Sequence, residues 1–355
     1  MIITRYLTRQ ILQVTAATTF ILLAVVVLGR FLKYLAQASQ GEIDPAVLAL
    51  LMSYRIPEFI QLILPLALLL SILLAYGRLY ADNEMTVLAA CGLSTRRLLA
   101  ITLMASASVA GLVGVLSFAF TPWGLVNTDT LLESQKELNE FDIMVPGLFQ
   151  NISRGARTTY TEAIENDEMQ QVFMHESASG RVTVASSAVP TEGEEGARFV
   201  LFSDGSITEP REDGYVLTQF EEMGVRIPAR DISFDIALEE RAMTTLALWR
   251  SGDASHRAEL QWRISLVLLI PVLTLIAVPL SRVSPRQGRF AKLVPAIFLY
   301  ILYFGLLLVS RDLTAAGEIP VMLGQWWVHG VFLTIGCLLF TGRMPSLRLP
   351  GFGTP

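Results

Sequence analysis

Six long apolar segments constrain the fold of this chain more than any other feature of its sequence. A helix needs about 20 consecutive, mostly apolar residues to cross a bilayer. A backbone in lipid must also satisfy its own hydrogen bonds, which makes the helix the expected structure for each segment. The sequence therefore predicts an α-helical membrane protein with six transmembrane helices, at residues 13–36, 56–77, 98–122, 260–281, 292–310 and 322–341.

Basic residues in the short connections predict how these helices are oriented. Cytoplasmic loops of membrane proteins are enriched in Lys and Arg. One side of the predicted topology collects most of them, namely Arg5, Arg9, Arg78, Arg96, Arg97, Arg282, Arg286, Arg289, Lys292, Arg343 and Arg348. That side is predicted to be cytoplasmic, which places both termini inside and the stretch 127–256 outside.

The stretch between the third and fourth apolar segments has a different character. Residues 127–256 carry most of the acidic side chains, and residues 157–245 contain short runs that alternate in a strand-like way. Turn formers such as Ser177–Gly180 and Asp213–Gly214 separate these runs. Evenly spaced short strands favour a sandwich, barrel or jelly roll. We therefore expect an inserted all-β, jellyroll-like domain at 127–256, between helical parts at 1–126 and 257–355.

Composition and motifs exclude several functions. The net charge of -5 argues against a nucleic-acid partner, because phosphate binding needs a basic surface. The sequence has no phosphate-binding loop of the type GxxxxGK[ST], no HExxH and no GxSxG. It therefore predicts no catalytic residues, no metal site and no cofactor in this chain. A transport subunit, a membrane scaffold and a signal-transducing receptor remain.

Three stretches of sequence point to a known family. They are the start of the chain, "MIITRYLTRQIL"; the region of "GEIDPAV" at 41–47, "PEFIQLILPLALLL" at 57–70 and "LYADNEMTVLAACGLS" at 79–94; and "RAELQWRISLVLLIPVLTLIAVPLSRVSPRQGR" at 257–289. Together they resemble the lipopolysaccharide-export permeases of the LptF/LptG (YjgP/YjgQ) family, and the LptF branch more closely than the LptG branch. The resemblance covers both membrane halves and is weaker across the insert.

The resemblance implies an ABC transporter in the bacterial inner membrane. This chain would be one membrane subunit, extracting lipopolysaccharide from the inner membrane and passing it to a periplasmic bridge toward the outer membrane. Its partners would be an LptG-like permease in a heterodimer, an LptB-like ATPase dimer that binds ATP and Mg, and LptC-like and LptA-like periplasmic proteins. The β-domain would be a periplasmic jellyroll that hands over the lipid.

The short cytoplasmic stretch 81–93 is the expected contact with the ATPase. It is predicted to be helical, with Gly92 as its C-terminal cap. Taken alone, Glu84 reads as a solvated loop acid. The resemblance implies instead that Glu84 docks on the ATPase, with Val87, Leu88 and Leu93 supplying apolar contact.

Charged residues near the opposite ends of the helices are candidate lipid contacts. Arg30 and Lys33 share one helix face by their i, i+3 spacing, and charges at that depth snorkel or face a cavity. The resemblance implies that both hold lipopolysaccharide phosphates. Arg55 and Glu58 either join the polar rim of the cavity or pair with each other. Glu259 and Arg263, at i, i+4 spacing, are predicted to form a structural pair.

Two alternatives to a transporter stay open at this point. A membrane scaffold would use the β-domain to recruit envelope proteins without moving a substrate. A periplasmic sensor would need a cytoplasmic output domain, for which the tail at 342–355 leaves no room.

Overall fold

The structure is a computed structural model that describes residues 2–39, 43–137, 146–152, 157–165, 168–192, 198–211, 214–226, 239–282 and 292–341. The chain divides into two compact units. The helical unit comprises residues 1–27, 54–126 and 237–355, and the β unit comprises residues 28–53 and 127–236. The boundary between residues 126 and 127 coincides with the start of the predicted insert.

Ten α-helices are described. They are α1 (Ile2–Ser39), α2 (Leu48–Ala81), α3 (Glu84–Ala90), α4 (Thr95–Val115), α5 (Thr121–Glu137), α6 (Glu239–Ala242), α7 (Thr245–Arg250), α8 (Ala254–Leu280), α9 (Leu293–Ala315) and α10 (Trp326–Thr341). A 3-10 turn at Pro45–Val47 leads into α2, and a π-helical turn at Leu116–Phe120 joins α4 to α5.

Five of these helical stretches are long and apolar enough to cross a membrane: Ile2–Ser39, Pro45–Ala81, Thr95–Leu132, Ala254–Leu280 and Leu293–Ala315. The sixth predicted span differs. Helix α10 has 16 residues and begins at Trp326, which gives a length of about 24 Å at 1.5 Å per residue.

The late start of α10 has a physical cause. Two hydrogen bonds join the loop before α10 to the beginning of α8. Gln261 Nε2 on α8 donates to the Val321 carbonyl at 2.6 Å, and Gln325 Nε2 in the loop donates to the Ala258 carbonyl at 2.9 Å. These bonds hold residues 321–325 as a turn, where the apolar pattern predicted helix.

Helix α8 lies at the centre of the helical unit and packs against α4, α9 and α10. Small residues on one face of α4 allow it to pack closely against α8. Ala105 and Ser106 are buried, and Thr274 Oγ1 on α8 donates to Ser106 Oγ at 2.8 Å. Ser108 and Gly111 are exposed, so the small residues form one packed face and one open face.

The β unit contains one antiparallel sheet. Its strands are β1 (Gln150–Ile152), β2 (Arg157–Tyr160), β3 (Ala163–Glu165), β4 (Glu168–Glu176), β5 (Arg181–Glu192), β6 (Arg198–Arg211) and β7 (Gly214–Arg226). The order is β1-β2-β4-β5-β6-β7, and β3 pairs with β4 beside β2. Residues Val172, Ala188, Val200 and Phe202 form the core of one sheet face.

The predicted β character is therefore present. Residues 214–226 form one long strand, β7, which pairs with β6 in a single register from Phe199↔Arg226 to Arg211↔Gly214. Residues 227–229 and the predicted turn residue Asp213 lie outside the described residues.

Strand β6 continues through a dipeptide that usually marks a turn. Asp-Gly favours tight hairpins because both residues accept a positive φ, yet Asp204-Gly205 lies in mid-strand. Asp204 has a φ of 49°, and its carbonyl accepts a hydrogen bond from Ser186 Oγ at 3.2 Å. One left-handed residue thus distorts the strand locally without ending it.

This backbone conformation yields a test of strand β6. Left-handed backbone costs a residue with a side chain about 1 kcal/mol, whereas glycine adopts it freely but loses more entropy on folding. We expect Asp204→Gly to leave the free energy of unfolding within about 0.5 kcal/mol, and Asp204→Val to lower it by about 1–2 kcal/mol.

The measurement is hydrogen–deuterium exchange of β6 amides in the full-length protein. Ser203→Gly is the matched control, because glycine in ordinary strand backbone costs about 0.5–1 kcal/mol. Exchange in Asp204→Gly that is as fast as in Ser203→Gly would contradict the assigned conformation.

Candidate functional site

Helix α3 is a short element set off from its neighbours by two left-handed residues. Asn83, with φ 60°, precedes the helix, and Gly92, with φ 91°, follows it. The Leu93 N–H donates to the Leu88 carbonyl at 3.0 Å, which closes the C-terminus. The predicted cap at Gly92 is confirmed, and the predicted helix is confined to Glu84–Ala90.

The predicted ATPase contacts divide between the surface and the core. Val87 is 61% exposed, whereas Leu88 and Leu93 are partly buried and pack against the helical core. Glu84 is half-buried, and its Oε2 accepts a hydrogen bond from the Tyr6 hydroxyl at 3.0 Å. The structure thus presents Glu84 and Val87 at the surface of α3, and the contact with an ATPase stays a prediction.

Arg30 and Lys33 are exposed on consecutive turns of α1, in the part of the helix that belongs to the β unit. Tyr34, the next residue, is buried, with 4% of its surface exposed. The two basic side chains therefore lie on the exposed side of the helix, and their i, i+3 spacing predicted only that they share one face. Their contact with phosphate stays a prediction.

A buried cluster of charged residues lies where α2 and α8 begin. We call it the ion cluster; its members are Arg55, Glu58, Arg241, Glu259 and Arg263. Arg55 Nε lies 3.1 Å from Glu58 Oε2, and Arg241 Nη2 donates to Glu58 Oε1. This geometry realises the predicted pairing of Arg55 with Glu58, while a place on the cavity rim stays a prediction.

Arg263 is the residue with the most hydrogen bonds in the ion cluster. Its Nη2 donates to the Arg241 and Met243 carbonyls at 3.0 and 2.8 Å, and its Nη1 donates to Thr245 Oγ1 at 2.9 Å. Its Nε lies 3.3 Å from Glu259 Oε1, which confirms the predicted pair.

The ion cluster also reaches the π-helical turn after α4. Thr245 Oγ1, which accepts from Arg263, donates to the Phe118 carbonyl at 3.0 Å. A π-helical turn leaves backbone carbonyls outside the regular i→i+4 pattern, and such turns are frequent at functional positions. Arg263 and Thr245 therefore connect three separate parts of the helical unit: the connector α6–α7, helix α8 and the π-helical turn after α4.

Sequence reasoning missed half of this arrangement. Arg241 lies in a stretch that reads as a simple connector, and it is 183 residues from Glu58. Pairs at that separation leave no periodic signal. The local spacings in the sequence, i, i+3 for Arg55 and Glu58 and i, i+4 for Glu259 and Arg263, did point to the two pairs that form.

The fold, helix α3 and the ion cluster define a multi-pass membrane protein that carries a separate antiparallel β-sheet unit. Comparison with known sequences gives the family. The profile described as "Lipopolysaccharide export system permease LptF/LptG" matches residues 5–342, nearly the whole chain. The chain belongs to this family of lipopolysaccharide export permeases.

Individual relatives agree with this assignment. The chain is 30% identical over 346 residues to the lipopolysaccharide export system permease protein LptF of Escherichia coli K12, an alignment that covers 96% of this chain and 94% of that protein. The LptF protein of Shigella flexneri matches with the same identity and coverage.

The burial of the ion cluster predicts a large effect of removing its central residue. Arg263→Leu leaves Glu259 without its cation and two carbonyls without their donor. Breaking a buried pair in this way destabilises proteins by about 3–5 kcal/mol. We expect a clear fall in the melting temperature of the detergent-purified protein, measured by tryptophan fluorescence.

Two further variants sharpen this test. Arg257→Leu is the matched control, since Arg257 is an exposed arginine on the same helix, and it should change the melting temperature little. Arg263→Leu combined with Glu259→Leu should recover part of the loss, because it removes the uncompensated charge. Equal melting temperatures for Arg263→Leu and Arg257→Leu would show that the ion cluster contributes no stability.

Proposed function

We propose that this chain is one membrane subunit of an ABC transporter that extracts lipopolysaccharide from the bacterial inner membrane. It passes the lipid to a periplasmic bridge toward the outer membrane. The chain itself is not an ATPase: ATP and Mg are bound by a separate, LptB-like ATPase dimer. An LptG-like permease completes the membrane part as the second half of a heterodimer.

The observation that carries this proposal is the surface presented by α3. A seven-residue helix connects two membrane-length helices, buries Met85 and exposes Val87. An exposed apolar side chain beside a carboxylate suits a protein partner, because the carboxylate forms charge-assisted hydrogen bonds and the apolar group excludes water. Glu84, Val87, Leu88 and Leu93 are the proposed contacts with the ATPase.

The proposed topology has six spans, with α10 as the shortest. Both termini and α3 lie in the cytoplasm, and the β unit lies in the periplasm as a jellyroll-like domain. The positions of Arg5, Arg9, Arg78, Arg96 and Arg97 support this orientation, because they fall at the ends of helices on the α3 side.

The β unit is the proposed binding surface for LptC-like and LptA-like proteins. Among the described strands, β7 pairs with β6 on one side and ends the sheet, and its Tyr215 and Leu217 are 79% and 62% exposed. A strand of 13 residues with an open edge suits the addition of a partner strand through main-chain hydrogen bonds.

Arg30 and Lys33 are the proposed phosphate contacts. Their exposure on one face of α1 supports this role, since two adjacent cations suit the phosphates of lipid A better than one. Arg55 and Glu58 are proposed as part of the rim of a lipid-binding cavity. The excess of positive charge in the ion cluster, three arginines against two glutamates, supports that placement.

The ATPase contact is tested by charge reversal at α3. The chain is co-expressed with candidate LptG-like and LptB-like subunits, and the affinity-purified complex is assayed for ATPase retention and ATP hydrolysis. We expect Glu84→Lys to reduce retention at least about thirty-fold, because losing one partner of an interfacial charge contact costs about 2–5 kcal/mol.

The control for this experiment is Asp82→Lys, the same charge reversal two residues away on an exposed turn. It should retain the ATPase within about five-fold, since an exposed ion pair is worth about 1 kcal/mol or less. If the wild-type chain retains no ATPase, the transporter proposal is rejected. If wild type and Glu84→Lys retain the ATPase equally, Glu84 is a solvated loop acid and not an ATPase contact.

The phosphate contacts are tested by the amount of lipopolysaccharide that co-purifies with the complex. Replacing both side chains, Arg30→Gln with Lys33→Gln, should lower this amount about ten-fold, because two charge-assisted contacts are lost. The charge-preserving pair, Arg30→Lys with Lys33→Arg, should stay near wild type. If the neutral pair binds as much lipopolysaccharide as wild type, snorkelling of the two side chains is the better interpretation.

A further inference from the structure

The first turns of α1 are fixed against the end of α2 and against α3. Leu7 and Ile11 are fully buried, and they belong to the same apolar cluster as Leu79 and Met85. Burial of two large aliphatic side chains on one helix face sets both the position and the rotation of that helix. Tyr6 directly precedes Leu7 on this helix, so the position of its backbone is fixed as well.

From this fixed position on α1, the Tyr6 side chain contacts α3. Its hydroxyl donates to Glu84 Oε2 at 3.0 Å, and it accepts a hydrogen bond from Gln10 Nε2, also at 3.0 Å. Gln10 stands four residues along the same helix, so the two side chains are neighbours on one face. Donation from Gln10 leaves the phenol proton directed at the carboxylate and orients the hydroxyl.

Local structure does little to hold the Glu84 side chain by itself. Glu84 is the first residue of α3, and the preceding Asn83 makes no side-chain capping hydrogen bond to the helix. A carboxylate at this position is favoured by the helix dipole, but the dipole does not select a rotamer. The hydrogen bond from Tyr6 is a long-range restraint that selects one.

We propose that Tyr6 is a positioning residue for Glu84, holding the carboxylate in the orientation that its partner ATPase recognises. The proposal rests on the proposed docking of Glu84. A side chain ordered before binding loses less entropy when the complex forms, so affinity rises without a new contact between the subunits. Tyr6 itself need not touch the ATPase.

The experiment is a double-mutant cycle on the detergent-solubilised permease pair. Tyr6→Phe, Glu84→Ala and their combination are each titrated with the purified LptB-like ATPase, and the apparent Kd and the melting temperature are measured. We expect Tyr6→Phe to weaken binding about three- to ten-fold, as loss of preorganisation of one side chain would. In the Glu84→Ala background, Tyr6→Phe should change the Kd less than two-fold, about the level at which sites are taken as independent.

Tyr80→Phe is the matched control. It deletes a tyrosine hydroxyl at the same end of the helical unit, where that hydroxyl lies near Arg282 and not near Glu84. We expect its Kd to equal that of wild type. A Tyr6→Phe effect no larger than the Tyr80→Phe effect would overturn the proposal.

The cycle also separates the positioning role of Tyr6 from the docking of Glu84 on which that role rests. If Tyr6→Phe weakens binding equally in both backgrounds, or lowers the melting temperature in both, Tyr6 acts on the fold and the positioning role is rejected. If Glu84→Ala leaves the Kd unchanged, docking of Glu84 fails and the positioning role falls with it. If Glu84→Ala weakens binding while Tyr6→Phe does not, docking stands and the role of Tyr6 alone is rejected.

Discussion

The stability of the helical unit depends on how its buried charged side chains are paired. Charged side chains in an apolar interior are stable when each is paired and each donor finds an acceptor. Arg263 meets this condition by bonding a carboxylate, a hydroxyl and two main-chain carbonyls. The planar guanidinium, with five N–H groups, can satisfy four acceptors at once, which a lysine ammonium cannot do. This group joins α8 to the connector, and Thr245 joins the connector to the π-helical turn after α4.

The sequence predicted those features whose signals are local. Apolar length located the membrane helices, alternation located the strands, and Gly92 marked the end of α3. The i, i+4 spacing identified Glu259 and Arg263 as a pair. Each of these patterns lies within one helix or one strand, where the chain geometry alone decides which residues are neighbours.

Features set by distant contacts could not be predicted in the same way. The hydrophobic pattern of 322–341 is that of a helix, yet Gln261 bonds the Val321 carbonyl and the helix begins at Trp326. The dipeptide Asp204-Gly205 has the composition of a turn, yet two flanking strands keep β6 extended. Tyr6 gave no sign of its contact with Glu84, which is 78 residues away. In each case a tertiary contact overrides a local preference.

Charged side chains are buried at one end of the helical unit and exposed at the other, and the two arrangements suit different tasks. In the ion cluster the side chains of Arg263 and Glu259 are 3% and 8% exposed, whereas at the α3 end those of Arg78 and Asp82 are 58% and 54% exposed. Buried pairs are costly to break and therefore hold the connector permanently. Exposed groups exchange water for a new partner at little cost. The helical unit therefore carries fixed, buried charge where α2 and α8 begin and accessible charge around α3, and the proposed docking of Glu84 uses only the second kind.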